Sequence, residues 1–491
     1  MLLMLLVLVP LLAGLLCWRL REPAALERVN LLAFAVNAAL AVWVGAKVLA
    51  QDTVEAFGGF LRVDSLSALV VGLNAFVALA CGLYAVGYLR QEQRLGKINA
   101  ALLRRYYVLT PVFVGTMMAV PLLNNLGLLW VAIESTTLAS VLLVRFYNQK
   151  SSLEAAWKYI IIGSAGIALA LFGTVLVYSS AVQVVGLEAG NGFNWSVLRG
   201  VADQCQKAPM RLGFILVLVG YGTKAGLAPM HTWLPDAHSE APSPTSAMLS
   251  GVSLKVALYA LLRFHILTSA CLGSDLSCNL LLGFGLFSML LAGPFILMQK
   301  NLKRMLAYSS LEHVGLICAA VGMNAPLTVF GALLHMGCHA LTKPVLFFAA
   351  GNIHQHFHTL DFRRIGSGLA RSMPATALLL GFAAVAVCGL PPFGLFISEL
   401  TVVAGGFTSQ QAWVSIVILV SLIVVFCGML NKLSGLLLGP APAGATREPI
   451  SLTTLAAMAL PLAALLVLTV RLPDSLWQLM NQAAGIIRGS P

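Results

Sequence analysis

The sequence predicts an all-α polytopic membrane protein, and three observations carry that prediction. Of its 491 residues only 10% are charged and 59% are hydrophobic, whereas a water-facing domain carries roughly 25% charged residues. Mean hydropathy is +0.90. Apolar runs long enough to cross a hydrocarbon core of about 30 Å recur as far as Arg471. A membrane β-barrel would alternate over segments of about 10 residues, and the opening run LLMLLVLVPLLAGLLC does not alternate. Soluble enzyme folds are therefore excluded. The net charge of +12 reads as a bias toward the inner membrane surface and calls for no nucleic acid.

Fourteen spans are expected, at 1–18, 28–50, 66–89, 107–123, 126–147, 157–180, 209–229, 243–264, 278–298, 303–323, 326–350, 373–407, 411–432 and 451–471. The first lacks a basic leader and an A-x-A site before Arg19, so it reads as a retained helix. Basic residues gather in cytoplasmic loops, which tests the count. Odd-numbered loops and their flanks hold Arg19, Arg21, Arg28, Arg90, Arg94, Lys97, Arg104, Arg105, Arg145, Lys150, Lys158, Lys300, Lys303, Arg304, Arg363, Arg364, Arg371, Lys432 and Arg447, out of 30 basic residues. Even-numbered loops hold Lys47, Arg62, Arg199, Lys207, Arg211 and Arg263. The alternation puts both termini outside the cytoplasm of a bacterial or archaeal inner membrane.

Two spans carry helix breakers. Span 7 reads GYGTKAGLAPMHTWLPDAHSEAP and span 12 reads AVCGLPPFGLFISELTVVAGGF, so Gly226-Leu227-Ala228-Pro229 is repeated as Gly389-Leu390-Pro391-Pro392, 163 residues later. The expected organisation is a three-helix segment (1–106), two five-helix repeats (107–265 and 278–432), and a C-terminal loop and helix (433–491). An odd number of spans per repeat inverts one copy against the other, the arrangement of ion and solute translocators. Proline kinks taken singly are ordinary in membrane helices.

Ionisable side chains at mid-membrane cost about 2.5–3.5 kcal/mol each by insertion scales. Glu134 stands in LGLLWVAIESTTLASVLLV, Lys224 beside the first break, Lys255 in TSAMLSGVSLKVALYALLRF and Glu399 just after the second break. His335, His339 and Lys343 fall four apart, on one helix face, and Glu312 with His313 starts a further polar patch. Static pairs or snorkelling side chains are the plain alternative, although Glu134 is too short to snorkel. The functional reading is a proton relay, in which burial and neighbouring charge shift the balance between protonated and deprotonated forms and histidine bridges near neutral pH.

The stretch TKAGLAPMHTWLPDAHSEAPSPTSAMLSG, with IESTT upstream and RMLAYSS and HALTKPVLFF downstream, resembles the antiporter-like subunits of respiratory complex I, multisubunit cation/proton antiporters and group 4 membrane-bound hydrogenases. The resemblance covers about residues 60–430. SSLEAAWKYIIIGSAGIALALFGTVLVY looks most like component F of the hydrogenase-4 and formate hydrogenlyase type. It implies that Glu134 is the essential glutamate of the fifth helix, Lys224 its partner on the broken seventh and Lys255 the connecting lysine. His335, His339 and Lys343 would form the central axis and Glu399 the terminal group, a position that is lysine in some members. The resemblance also implies a subunit without redox chemistry, with a nickel–iron centre and iron–sulfur clusters in partner subunits and a hydrophilic arm driving proton or sodium movement. A complex I subunit and a redox-independent sodium/proton antiporter are the alternatives. The chain stops about 20 residues after the last span, so the long lateral helix of the distal complex I subunit is expected to be absent.

No cofactor is expected in this chain. Its nine cysteines have no CxxC spacing, and clusters need four grouped thiolates. His354, His356 and His358, expected in a loop near Asp361, are an incomplete metal set. His231, Asp236, His238 and Glu240 surround the first break, where loop ordering, proton uptake and metal binding are all open readings. GYGTK and the GSG at 366–368 lack phosphate-loop spacing.

Overall fold

The computed structural model describes residues 1–186, 191–440 and 450–489; Arg447 lies outside the described residues. The order is α1 (Leu2–Arg19), α2 (Pro23–Gln51), β1 (Val54–Ala56), β2 (Leu61–Val63), α3 (Ser65–Arg94), α4 (Ala100–Ala119), α5 (Leu126–Val144), α6 (Lys150–Val185), α7 (Trp195–Gly200), α8 (Lys207–Ala225), α9 (Trp233–Glu240), α10 (Ser243–Met248), α11 (Leu254–Leu272), α12 (Asp275–Met298), α13 (Leu302–Gly322), α14 (Pro326–Phe357), α15 (Phe362–Ile365), α16 (Leu369–Ser372), α17 (Pro374–Val387), α18 (Gly394–Thr408), α19 (Ala412–Leu437), α20 (Leu452–Val470) and α21 (Asp474–Arg488). Among the described residues, eleven helices are long and apolar enough to cross a membrane, with α10 and α11 counted as one.

Helix starts follow their capping residues. Asn99, Asn125 and Asn301 each accept from the backbone N–H three residues on, satisfying a donor the helix cannot. Side-chain polarity is arranged inside out. The most apolar stretches of α10–α11, α13 and α14 are wholly buried, whereas those of α1, α2 and α20 are only one-third buried. Trp18, Val42, Ile161, Phe172, Ile423 and Val467 stand exposed on the outer helices, a surface suited to lipid and not to water. Lys255, Glu312, Lys343 and Glu399 are thus enclosed by protein, while the outer helices turn part of their apolar surface outward.

Close approach builds the bundle. Added Cβ atoms at Gly173 and Gly220 would lie 2.6 and 2.5 Å from the carbonyl oxygens of Gly213 and Gly166, so α6 and α8 touch backbone to backbone, as small residues allow in membranes.

Three local expectations are corrected. A small hairpin pairs Val54 with Val63, turning through Gly58 and Gly59 at positive φ; its three-residue strands are too short to show alternation. His354 and His356 lie on α14, which runs to Phe357, with His358 as its left-handed cap, so they are not loop residues. Beyond the last expected span, α21 is an amphipathic helix that buries Leu479, Met480, Ala483, Ala484 and Ile487 and packs on α3 and α14, leaving Trp477 exposed.

Candidate functional site

At the first break α8 stops at Ala225 and Gly226 turns with φ +81°, where a Cβ would stand 2.5 Å from Leu234. Only glycine fits there. Lys224 is thereby held in the last turn of α8, the end whose dipole favours a cation. Its Nζ donates to Thr137 Oγ1 at 3.0 Å and to the Tyr159 hydroxyl at 2.5 Å. The Tyr159 ring stacks on Trp233, centroids 4.5 Å apart, and its hydroxyl also meets Ser140 at 2.8 Å.

Glu134 is half-buried and accepts from Ser164 at 2.9 Å; its second oxygen has no hydrogen-bond partner. The direct Glu134–Lys224 pair expected from sequence is not formed. Thr137, one helical turn beyond Glu134, and Tyr159 hold the ammonium instead.

The centre lies on α10–α11, α13, α14 and α18. A π turn at Leu249–Ser253 interrupts the eighth span, and Lys255 reaches back into it, 2.5 Å from the Ser250 carbonyl and 2.5 Å from His339 Nδ1. Ser250 bonds Ser310 across to α13 at 2.7 Å. His339 faces His313, ring centroids 4.7 Å apart, and His313 Nδ1 lies 2.9 Å from His335 Nε2. His335 Nδ1 meets Ser398 Oγ at 2.9 Å. Because Ser398 gives its hydrogen to the Leu395 carbonyl at 2.7 Å, it accepts from His335 Nδ1. The neutral ring then presents Nε2 as acceptor, and His313 Nδ1 is the donor. Lys343 donates to Leu306 O at 2.9 Å and to Ser309 Oγ. Glu312 is buried with neither oxygen hydrogen-bonded, and His313 Nε2 and His339 Nε2 are equally unpartnered.

At the second break Gly389 has φ +63°, and the Glu399 carboxylate folds back over it, 2.1 Å from where a Cβ would be. Glycine is required for space as well as for conformation.

The four residues around the first break separate. Asp236 ties α9 to Lys158 at 3.1 Å and to Arg304, an ordering contact. Glu240 takes a hydrogen bond from Ser151 at 2.7 Å and lines a cavity of about 560 Å³ with Lys97, Lys303, Arg304 and His354. His238 is buried; its Nδ1 bonds the Leu234 carbonyl at 2.9 Å and its Nε2 has no partner. His231 packs edge-on against Phe295 and Tyr308.

Sequence reasoning passed over Tyr159, Ser250, Ser309, Ser310 and Ser398, which are unremarkable in apolar runs. It also passed over the buried pair of Asp64 and Arg263 (2.6 Å), with Arg263 stacked on Trp195. Arg263, which the sequence places among the loop flanks, is buried within α11.

Comparison with known proteins agrees with this architecture. The family described as NADH:quinone oxidoreductase/Mrp antiporter, transmembrane, matches residues 124–426. The hydrogenase-4 component F homolog of Methylacidiphilum infernorum is 41% identical over 376 residues, 77% of this chain and 78% of that protein. Hydrogenase-4 component B of Escherichia coli is 33% identical over 351 residues, 69% of this chain and 50% of its own longer chain. In fold, a chain of the archaeal membrane-bound sulfane sulfur reductase superposes with TM-score 0.85 at 22% identity, over 99% of this chain and 97% of that one. The class is thus an antiporter-like membrane protein. The chain belongs to the NADH:quinone oxidoreductase/Mrp antiporter transmembrane family.

Proposed function

We propose that this chain is the proton-translocating subunit of a membrane redox complex of the hydrogenase-4 type. The carrying observation is the row of buried ionisable groups from Lys224 to Glu399, between the two helix breaks, hydrogen-bonded at its centre through Lys255, His339, His313 and His335. In this reading Glu134 and Lys224 load a proton, held by Thr137 and Tyr159. His238 lies between Trp233 and Phe347, ring centroids 6.4 and 5.6 Å away, and relays toward Lys255. His339, His313 and His335 pass the proton on, Lys343 sets the local charge with Glu312, and Glu399 delivers at the second break. Unpartnered acceptors along the belt are where water or a shared proton completes the hydrogen bonding. The cavity at Glu240 and Lys303 opens among basic loops and is the uptake side.

The same reading takes fourteen spans, with α8–α9 and α17–α18 as broken members of two inverted repeats, and both termini outside. Matching glycine-led breaks support it. The nickel–iron centre, iron–sulfur clusters and hydrophilic arm belong to partner subunits, since moving one proton against 100 mV takes about 2.3 kcal/mol, supplied from outside this chain. The 41% identity to a component F homolog favours this setting over a complex I subunit or a redox-independent antiporter.

The test is proton uptake by proteoliposomes containing the complex. Glu134→Gln and Lys224→Ala should each abolish uptake with the subunit still assembled. Unchanged uptake in both removes the relay, and sodium-dependent uptake in the wild type moves the chain to the cation antiporters.

A further inference from the structure

Among the described residues one trio of metal-ligand types converges: His313 on α13, His335 on α14 and Glu399 on α18, all buried, with one ligand atom from each within 4.8 Å of the others. We propose that this trio binds a single divalent transition-metal ion of the Zn²⁺ class, clamping three helices that otherwise meet only through side-chain hydrogen bonds and packing.

Four observations support the site. Two imidazoles with a carboxylate suit zinc far better than magnesium or calcium. The facing nitrogens of His313 and His335 are 2.9 Å apart, and Zn–N bonds of about 2.0–2.1 Å fit between them once they open by a few tenths of an ångström. His335 is already oriented by Ser398 at its other nitrogen, as metal-binding histidines usually are. Glu312, with Oε2 3.2 Å from His313 and no hydrogen bond of its own, adds a second carboxylate to offset the ion's charge. Beside the site, at the second break, Pro391 and Pro392 are exposed and the Glu399 carboxylate lies against Gly389.

Metal capture takes the His313–His335 contact out of proton exchange, because a ligand nitrogen cannot carry a proton. That consequence rests on the proton route proposed above; the binding site does not. The test equilibrates the intact complex with zinc chloride or magnesium chloride, removes free ion and measures retained metal by mass spectrometry and zinc X-ray absorption, alongside proton uptake. Wild type should retain one zinc per subunit more than His313→Asn and His335→Asn variants, with at least tenfold weaker retention in Glu399→Gln, imidazole in the absorption spectrum, and uptake inhibited until a chelator is added. Equal zinc in wild type and variants, or a spectrum without imidazole, overturns the site, and the spectrum of the wild type alone decides if a variant fails to assemble. Zinc bound at the trio with undiminished uptake supports the site and overturns the route through it.

Discussion

Tyr159 shows how much a single side chain does in this bundle. Its hydroxyl contacts both Lys224 and Ser140, while its ring lies over Trp233 and 4.8 Å from the ammonium. Tyr159→Phe keeps the stacking and removes the hydroxyl. A hydrogen bond to a charged group is worth about 1.5–3 kcal/mol, so proton uptake should fall at least tenfold while assembly holds, measured in the same proteoliposomes. A variant with wild-type uptake would make Tyr159 a packing residue. The ionisable members of the belt were legible because charge is conspicuous in apolar sequence. Ser250, Ser309 and Ser398 were not, since serine hydroxyls in membrane helices commonly bond their own backbone; Tyr159 was not, since nothing in its spacing reveals the lysine on another helix that its hydroxyl meets.

At the scale of elements, two contacts between helices can be tested singly. Gly220 faces the Gly166 carbonyl across the α6–α8 crossing, so Gly220→Leu should force the helices apart and lower the melting temperature and yield of the subunit. Gly283 has nothing within 4 Å of an added Cβ, and Gly283→Ala should leave both unchanged. The second contact is Asp64 with Arg263, which joins the start of α3 to α11. Asp64→Ala strands a buried guanidinium and should cost about 3–5 kcal/mol, and replacing Arg263 by Met in the same chain should restore part of that loss, as read by thermal unfolding in detergent. These elements were only partly legible. Glycine-led breaks could be placed from the repeated Gly-Leu-Ala-Pro and Gly-Leu-Pro-Pro runs, whereas the α6–α8 contact depends on which glycines from two helices meet, and a single helix does not reveal that.

For the whole molecule the separation of charge is the organising fact. Basic residues around the Glu240 and Lys303 cavity occupy one end of the bundle, and the hairpin belongs with the opposite loops in the proposed topology. Single cysteines at Ala100 and at Gln51, both exposed, should be labelled by an impermeant maleimide from opposite faces, Ala100 from the cytoplasmic side, in a chain lacking exposed Cys427. Labelling of both from one side would overturn the orientation. Membrane class and helical character followed from the scarcity of charge and the long, non-alternating apolar runs. Arg263 reads as a loop residue because a charge near a span end does so unless its partner, 199 positions away, is known.

The π turn at Leu249–Ser253 gives the α10–α11 segment two angular phases. An α-helix advances about 100° per residue, and a π turn accommodates one residue more than the regular ladder does. A helical wheel drawn onward from Ser243 is therefore out of step by the time it reaches Lys255. The lysine points at His339 because the chain has gained that residue, so losing any one position between 249 and 253 would straighten the helix, keep every ionisable group in the sequence, and aim Lys255 elsewhere.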